Sequence, residues 1–140
     1  MTIGKMSKTN WFGLVVAFIF LDQLSKYLFV TYWPDLVHYN TGSAFSLPIP
    51  MIVAVIISFA FIALAIYMHG RDKLSDWIWL LIFAGTVGNL IDRLFRGSVT
   101  DFIDVGFWPV FNLADTYLST AGLMLFVFYV ILGRDYGRTK

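Results

Sequence analysis

Apolar residues along this chain gather into long blocks, without the strict alternation of a strand or the narrow stripe of a soluble amphipathic helix. Four blocks approach the roughly 20 residues that carry a helix across a hydrocarbon core of about 30 Å. They lie at about 11–33, 51–68, 77–94 and 113–132, and the second carries no charged residue. The tryptophans, Trp11, Trp33, Trp77, Trp79 and Trp108, fall at or near the ends of these blocks, where amphipathic rings favour the headgroup layer. The pattern predicts an all-α integral membrane protein. It is a four-transmembrane-helix bundle with short outward-facing loops and room for a small strand-like segment between helices 1 and 2. No internal repeat, low-complexity tract or linker divides it, so residues 1–140 form a single membrane-embedded domain.

Composition agrees. Hydrophobic residues make up 59% and charged residues 14% of the 140, against about 45–50% and 25% in soluble domains. The net charge of +1 and the lack of a basic block argue against a nucleic-acid partner. The acidic residues are nine Asp with no Glu, and there is no Cys, which removes disulfides, thiolate chemistry and cysteine zinc sites.

Charge sets the direction. Lys5 and Lys8 precede span one, Arg71 and Lys73 follow span two, and Arg134, Arg138 and Lys140 follow span four, while 34–50 and 97–112 hold no Lys or Arg. The positive-inside tendency puts both termini and the middle loop in the cytoplasm and the other two loops outside. A cleaved leader is disfavoured for span one. Asp22, Gln23 and Lys26 follow its apolar run at once, and no small-x-small site appears.

The chemistry then lies in polar residues kept where they are costly. An Asp, Lys or Arg at the centre of a spanning helix costs roughly 2.5–3.5 kcal/mol. Asp22 and Lys26 share a helix face at i,i+4; spacing alone favours an internal ion pair over an anchor for an outward-facing site. Tyr39-Asn40-Thr41-Gly42-Ser43-Ala44-Phe45, bounded by Pro48 and Pro50, reads as a turn or as a substrate-contacting loop. In span three Gly85, Asn89, Asp92 and Arg96 recur at helical spacing, with Arg93 adjacent and Ala84 and Gly88 small enough for close helix approach. Packing glue with snorkelling arginines accounts for Arg93 and Arg96, but not for Asn89 and Asp92 together. Asn112, Asp115, Ser119 and Gly122 form a polar, small edge on span four, and Asp101 lies just beyond span three.

If spans three and four are neighbours, Asp101 and Asp115 can approach one another. Two close carboxylates in a low dielectric do not both ionise, and that mixed state is what an aspartic peptidase needs. The competing readings are an Asp cap on span four with Asp101 merely solvated, a cation site of Asp92, Asp101 and Asp104, and an ion or proton pathway. His38 and His69 are predicted on opposite sides, which disfavours a histidine site, and the common hydrolase and phosphate-binding motifs are absent.

Five segments together carry a resemblance. Asp22-Gln23-x-x-Lys26, Asn40-Thr41-Gly42-Ser43-Ala44-Phe45, Gly88-Asn89-x-x-Asp92-Arg93, Gly97-x-Val99-x-Asp101-Phe102 and Phe111-Asn112-x-Ala114-Asp115 stand in the order found in bacterial lipoprotein signal peptidase (signal peptidase II). The chain resembles that family from span one through span four. It departs at Ser43, where the family usually has Ala, at Ala84-Gly85-Thr86, and in shorter outer connections. The resemblance implies an intramembrane aspartic endopeptidase of the bacterial inner membrane with no metal or other cofactor. Such an enzyme removes signal peptides from prolipoproteins on the N-terminal side of a diacylglyceryl-modified Cys. It implies a catalytic dyad of Asp101 and Asp115, supported by Asn40, Gly42, Asn89, Arg93, Asn112, Asp22, Lys26 and Asp92. Its expected partners are the diacylated substrate, membrane lipid and globomycin-type inhibitors, and the simplest assembly is a monomer. Asn112 and Asn40 would then hydrogen-bond the substrate backbone, and Arg93 would hold the loop carrying Asp101. The rival is a non-enzymatic four-span protein, a pathway or structural partner, using the same carboxylates.

Overall fold

A computed structural model describes residues 8–42, 49–71 and 74–133. Helix α1 (Lys8–Tyr32) is followed by a 3-10 turn (Pro34–Leu36) and strand β1 (His38–Asn40). Helices α2 (Met51–Gly70) and α3 (Asp76–Arg96), strand β2 (Val99–Asp101) and helix α4 (Leu113–Leu125) complete the order, and α4 runs on as a π-helical segment, Phe126–Ile131. All four helices are long and apolar enough to cross a membrane, as the block pattern predicts.

Local chemistry fixes the ends. Pro50 precedes α2, where a missing N–H costs nothing. The Ser75 side chain accepts from Ile78 N at 3.2 Å to cap α3. That helix stops at Gly97, whose φ of 75° suits a residue without Cβ.

Helix α3 is the centre of the bundle and touches the other three. Its buried positions include Ala84, Gly85, Gly88, Asn89 and Asp92, whereas α1 and α2 expose large apolar side chains such as Phe12, Phe20, Ile52 and Ile56. Close approach depends on two glycines. A Cβ on Gly85 would sit 2.6 Å from Ala114 O of α4, and one on Gly88 would sit 2.6 Å from Asp22 Oδ2 of α1.

The two ends of the bundle differ. One holds an apolar cluster of Ala65, Leu74, Ile78, Ile82 and Ala121, with Met68, Met124 and Phe128 packed on it. At the other, β1 and β2 pair antiparallel, His38 opposite Asp101 and Asn40 opposite Val99, tying the two connections together. The strand expected between the first two helices is present. Its partner β2, which reads as loop in the sequence, is buried at all three positions and so lacks the alternation that marks a half-exposed strand. Ser43, Ala44, Phe45 and Pro48 of the glycine-bearing loop lie outside the described residues, as do Lys5, Lys73, Arg134, Arg138 and Lys140.

Candidate active site

The first turn of α4 sets one carboxylate. Asn112 is the N-cap, its Oδ1 accepting from Asp115 N at 3.0 Å, while Asp115 Oδ2 accepts from Asn112 N at 3.2 Å. This reciprocal capping box satisfies two otherwise orphaned N–H groups. The other oxygen of Asp115 accepts from Asn89 Nδ2 of α3 at 2.8 Å.

Strand β2 sets the second carboxylate. Asp101 Oδ1 accepts from Asn112 Nδ2 at 2.6 Å, and Oδ2 accepts from Asn40 Nδ2 of β1 at 3.3 Å. Gly42 N in turn donates to Asn40 Oδ1 at 2.9 Å, which orients that amide. Asn112 therefore touches both acids, Asp101 through its side chain and Asp115 through its backbone. Burial, then the charge of Asp115, push the Asp101 carboxyl up to about 6, against the pull of the Asn112 and Asn40 hydrogen bonds and the more distant Lys26 charge.

Beneath the acids lies a fully buried ionic layer. Lys26 Nζ is 2.8 Å from Asp22 Oδ2, 3.1 Å from Asp92 Oδ2 and 3.1 Å from Asn89 Oδ1. Each carboxylate in this layer also holds backbone. Asp22 Oδ1 accepts from Ala114 N at 2.9 Å and Asp92 Oδ2 from Thr100 N at 3.0 Å. One acid thus pins the start of α4 and the other pins β2, next to Asp115 and Asp101 respectively. Arg96 closes the layer on Asp92 Oδ1 and on Gln23 Oε1, so it does not simply snorkel away from the bundle.

For two of the expected residues the structure shows further partners. The strand carrying Asp101 is held by Asp92, while Arg93 has a buried Nε with no hydrogen-bond partner. Arg93 lines the cavity, close enough to Asp115 and Asp101 for direct electrostatic attraction. Asn112 spends both amide hydrogens on Asp101 and Asn89, which makes it a bridge between acids and leaves no free donor for a substrate. The cation site of Asp92, Asp101 and Asp104 does not form. Asp92 is saturated inside the ionic layer, Asp104 is exposed and accepts from Gly106 N, and no metal-holding cluster occurs among the described residues.

The cavity above the acids has a volume of about 600 Å³. Asn40, Asn89, Arg93, Asp101 and Asp115 supply its polar wall, and the segment 105–111 its apolar wall, while Thr116, Ser119 and Thr120 extend it along α4. Gln23 and the 105–111 wall are absent from the residues that sequence reasoning assigns to the site. Gln23 had a signal, being polar beside Asp22 within a span. It donates to Gly88 O at 3.0 Å.

Comparison with known proteins now adds to this geometry. The family model described as signal peptidase (SPase) II matches residues 14–132. A lipoprotein signal peptidase of Borreliella afzelii (strain PKo) is 33% identical over 166 residues, covering 92% of this chain and 94% of that one. One from Thermodesulfovibrio yellowstonii is 36% identical over 132 residues, covering 79% and 86%. A bacterial membrane enzyme solved by the in meso method at 2.3 Å resolution superposes with a TM-score of 0.76 at 26% identity, over 97% of this chain and 94% of its own. A match of that length, with relatives above 30% identity along most of both chains, shows that the chain belongs to the signal peptidase II family, a family of peptidases.

Proposed function

We propose that this protein is an intramembrane aspartic endopeptidase that removes signal peptides from prolipoproteins, cutting on the N-terminal side of a diacylglyceryl-modified Cys. The observation that carries this reading is Asn112 bridging Asp101 and Asp115 at the floor of one cavity. Membership of a peptidase family favours hydrolysis over a non-enzymatic pathway or structural role.

The charge balance supports a shared proton. Four carboxylates (Asp22, Asp92, Asp101 and Asp115) face three cations (Lys26, Arg93 and Arg96), an imbalance that one retained proton removes. That proton is shared between Asp101 and Asp115, whose apparent pKa values belong to the pair. In the productive arrangement Asp101 carries it. Asp115 takes a proton from water as the water oxygen attacks the scissile carbonyl carbon. Asp101 gives its proton to the developing oxyanion. Collapse of the tetrahedral intermediate then breaks the C–N bond, with the proton gained by Asp115 passing to the leaving amine and one hydroxyl proton of the intermediate returning to Asp101. Arg93 holds negative charge in place as it redistributes over the site.

The protein sits in the bacterial inner membrane with both termini cytoplasmic and the strand end of the bundle outside. There the scissile bond lies just beyond the substrate's own spanning helix, and the diacylglyceryl chains stay among lipids. The enzyme works as a monomer without a metal, and globomycin-type compounds compete for the cavity.

The test is cleavage of a diacylated lipobox peptide by detergent-purified protein. Wild type should release product before the modified Cys, with or without chelator. Asp101→Asn and Asp115→Asn should insert normally and lose at least about 10²–10⁴-fold in turnover. Undiminished turnover in either variant removes the dyad, and ion flux without peptide product would favour the pathway reading. A reporter fused after Lys140 should read cytoplasmic.

A further inference from the structure

The segment that forms the apolar wall of the cavity also reaches the surroundings: Val105, Phe107 and Trp108 line the cavity mouth and remain largely exposed. Ile103 and Phe111 pair through Ile103 N to Phe111 O at 2.8 Å and Phe111 N to Ile103 O at 3.1 Å. These bonds close the segment between them into a narrow loop. Asp104 Oδ1 accepts from Gly106 N at 2.8 Å, and Gly106 takes a φ of 81°, so the turn is built by its own sequence. What it presents at the tip is Phe107, 89% exposed, beside the half-exposed Trp108 and Val105. A held turn that displays a phenyl ring almost wholly to the surroundings is unfavourable in water and costs nothing in lipid.

We infer that this tip is a bilayer anchor, with Phe107 and Trp108 seated in the interfacial layer of the membrane at the cavity mouth. Three observations choose lipid as the occupant. The loop lies at the strand end, where α1 finishes in exposed Tyr32 and Trp33 and α3 finishes in exposed Leu94 and Phe95. The tip therefore continues an aromatic belt of the kind that marks a membrane boundary. Residues 105–111 carry no charge and 97–112 no Lys or Arg, and the carboxylate of Asp104 sits at the base of the turn on Gly106 N. The tip itself is therefore apolar and enters the headgroup and acyl boundary without burying a charge. Finally, the loop leads directly from β2 into α4, so its tip stands at the level where two spanning helices end. Anchoring it would hold one wall of the cavity at the depth where a lipid-modified residue resides. The inference rests on the four-span reading and is independent of the dyad chemistry.

Because the chain has no Cys, single labels can be placed cleanly. Phe107→Cys would be spin-labelled in protein-only liposomes and compared with Asp35→Cys, on the exposed turn after α1, and Ile56→Cys, on the exposed face of α2. The ratio of oxygen to nickel-chelate collisions at 107 should exceed that at 35 by about threefold or more and fall between the two references. A ratio equal to that at 35 overturns the anchor. So does depression of both collision rates, which would mean that the ring packs on the chain itself. In a label-free check, Phe107→Trp adds one indole. Shallow-brominated lipid should quench the added emission more than aqueous iodide does, and the reverse order overturns the inference. Neither readout uses turnover, so failure of the peptidase reading would leave both results intact.

Discussion

Helices α2 and α3 have 20 and 21 residues and lie side by side, yet they relate hydropathy to burial in opposite ways. The more apolar α2 has 17% of its spanning window buried inside the bundle, and the more polar α3 has 56%. In water this would be backwards. In lipid it follows directly, because an apolar side chain gains little by leaving acyl chains for protein, while a polar one must find partners inside. Mean hydropathy alone does not set burial, since the span of α4 is as polar as α3 and only 11% buried. The lesson is that individual charged and amide side chains buried inside the bundle, such as Asp22, Lys26, Asn89 and Asp92, mark the site.

The comparison can be broken most decisively at Lys26. Lys26→Met leaves Asp22 and Asp92 buried with less compensation, and should lower stability by about 3–5 kcal/mol in thermal unfolding in detergent. Ile56→Ala on the exposed face of α2 should stay within about 0.5 kcal/mol. Similar losses in the two variants would erase the distinction. A middle-sized effect is expected from Gly88→Ala, whose new methyl would press on Asp22, at about 1–3 kcal/mol. Gly13→Ala, with nothing within 4 Å, should instead gain up to about 1 kcal/mol from helix propensity.

A finer test uses pH. The folded Asp101 carboxyl is raised from 3.8 to about 6, so the folded state binds its proton more tightly than the unfolded chain does. That contribution is complete below the unfolded value and is lost as pH rises through about 6. Stability should therefore decline over this window in wild type, and the Asp101 component of the slope should vanish in Asp101→Asn. Asn112→Ala, which removes a hydrogen bond favouring the charged form, should move the decline to higher pH. The smallest expected effect is Asn40→Ala. It removes the long 3.3 Å bond to Asp101 and should cost about 0.5–1.5 kcal/mol in the same unfolding assay.

Much of this arrangement is legible in the residues because lipid makes polarity conspicuous. Asp22, Lys26, Asn89, Asp92 and Asp115 each interrupt an apolar block, and helical spacing assigns their faces. What spacing does not carry is the third partner. Asp92 binding Thr100 N and Asp22 binding Ala114 N join a side chain to backbone far away in the chain, and a backbone N–H leaves no mark in a sequence. Strand β2 is hidden for a related reason, being three residues long and buried throughout. A cation next to a carboxylate in sequence suggests a tether, and what spacing does not show is that the helix turns Arg93 toward the cavity, where it faces both Asp115 and Asp101.

Asp115 has one further consequence. It is also the N3 residue of the capping box, so one oxygen of the same carboxylate that lines the cavity holds the N–H of the N-cap Asn112 just ahead of α4. Fraying of that single turn would release the acid from its bearing even with the four helices still assembled. Activity should thus be the earliest casualty of mild denaturation, disappearing while circular dichroism still reports an intact bundle.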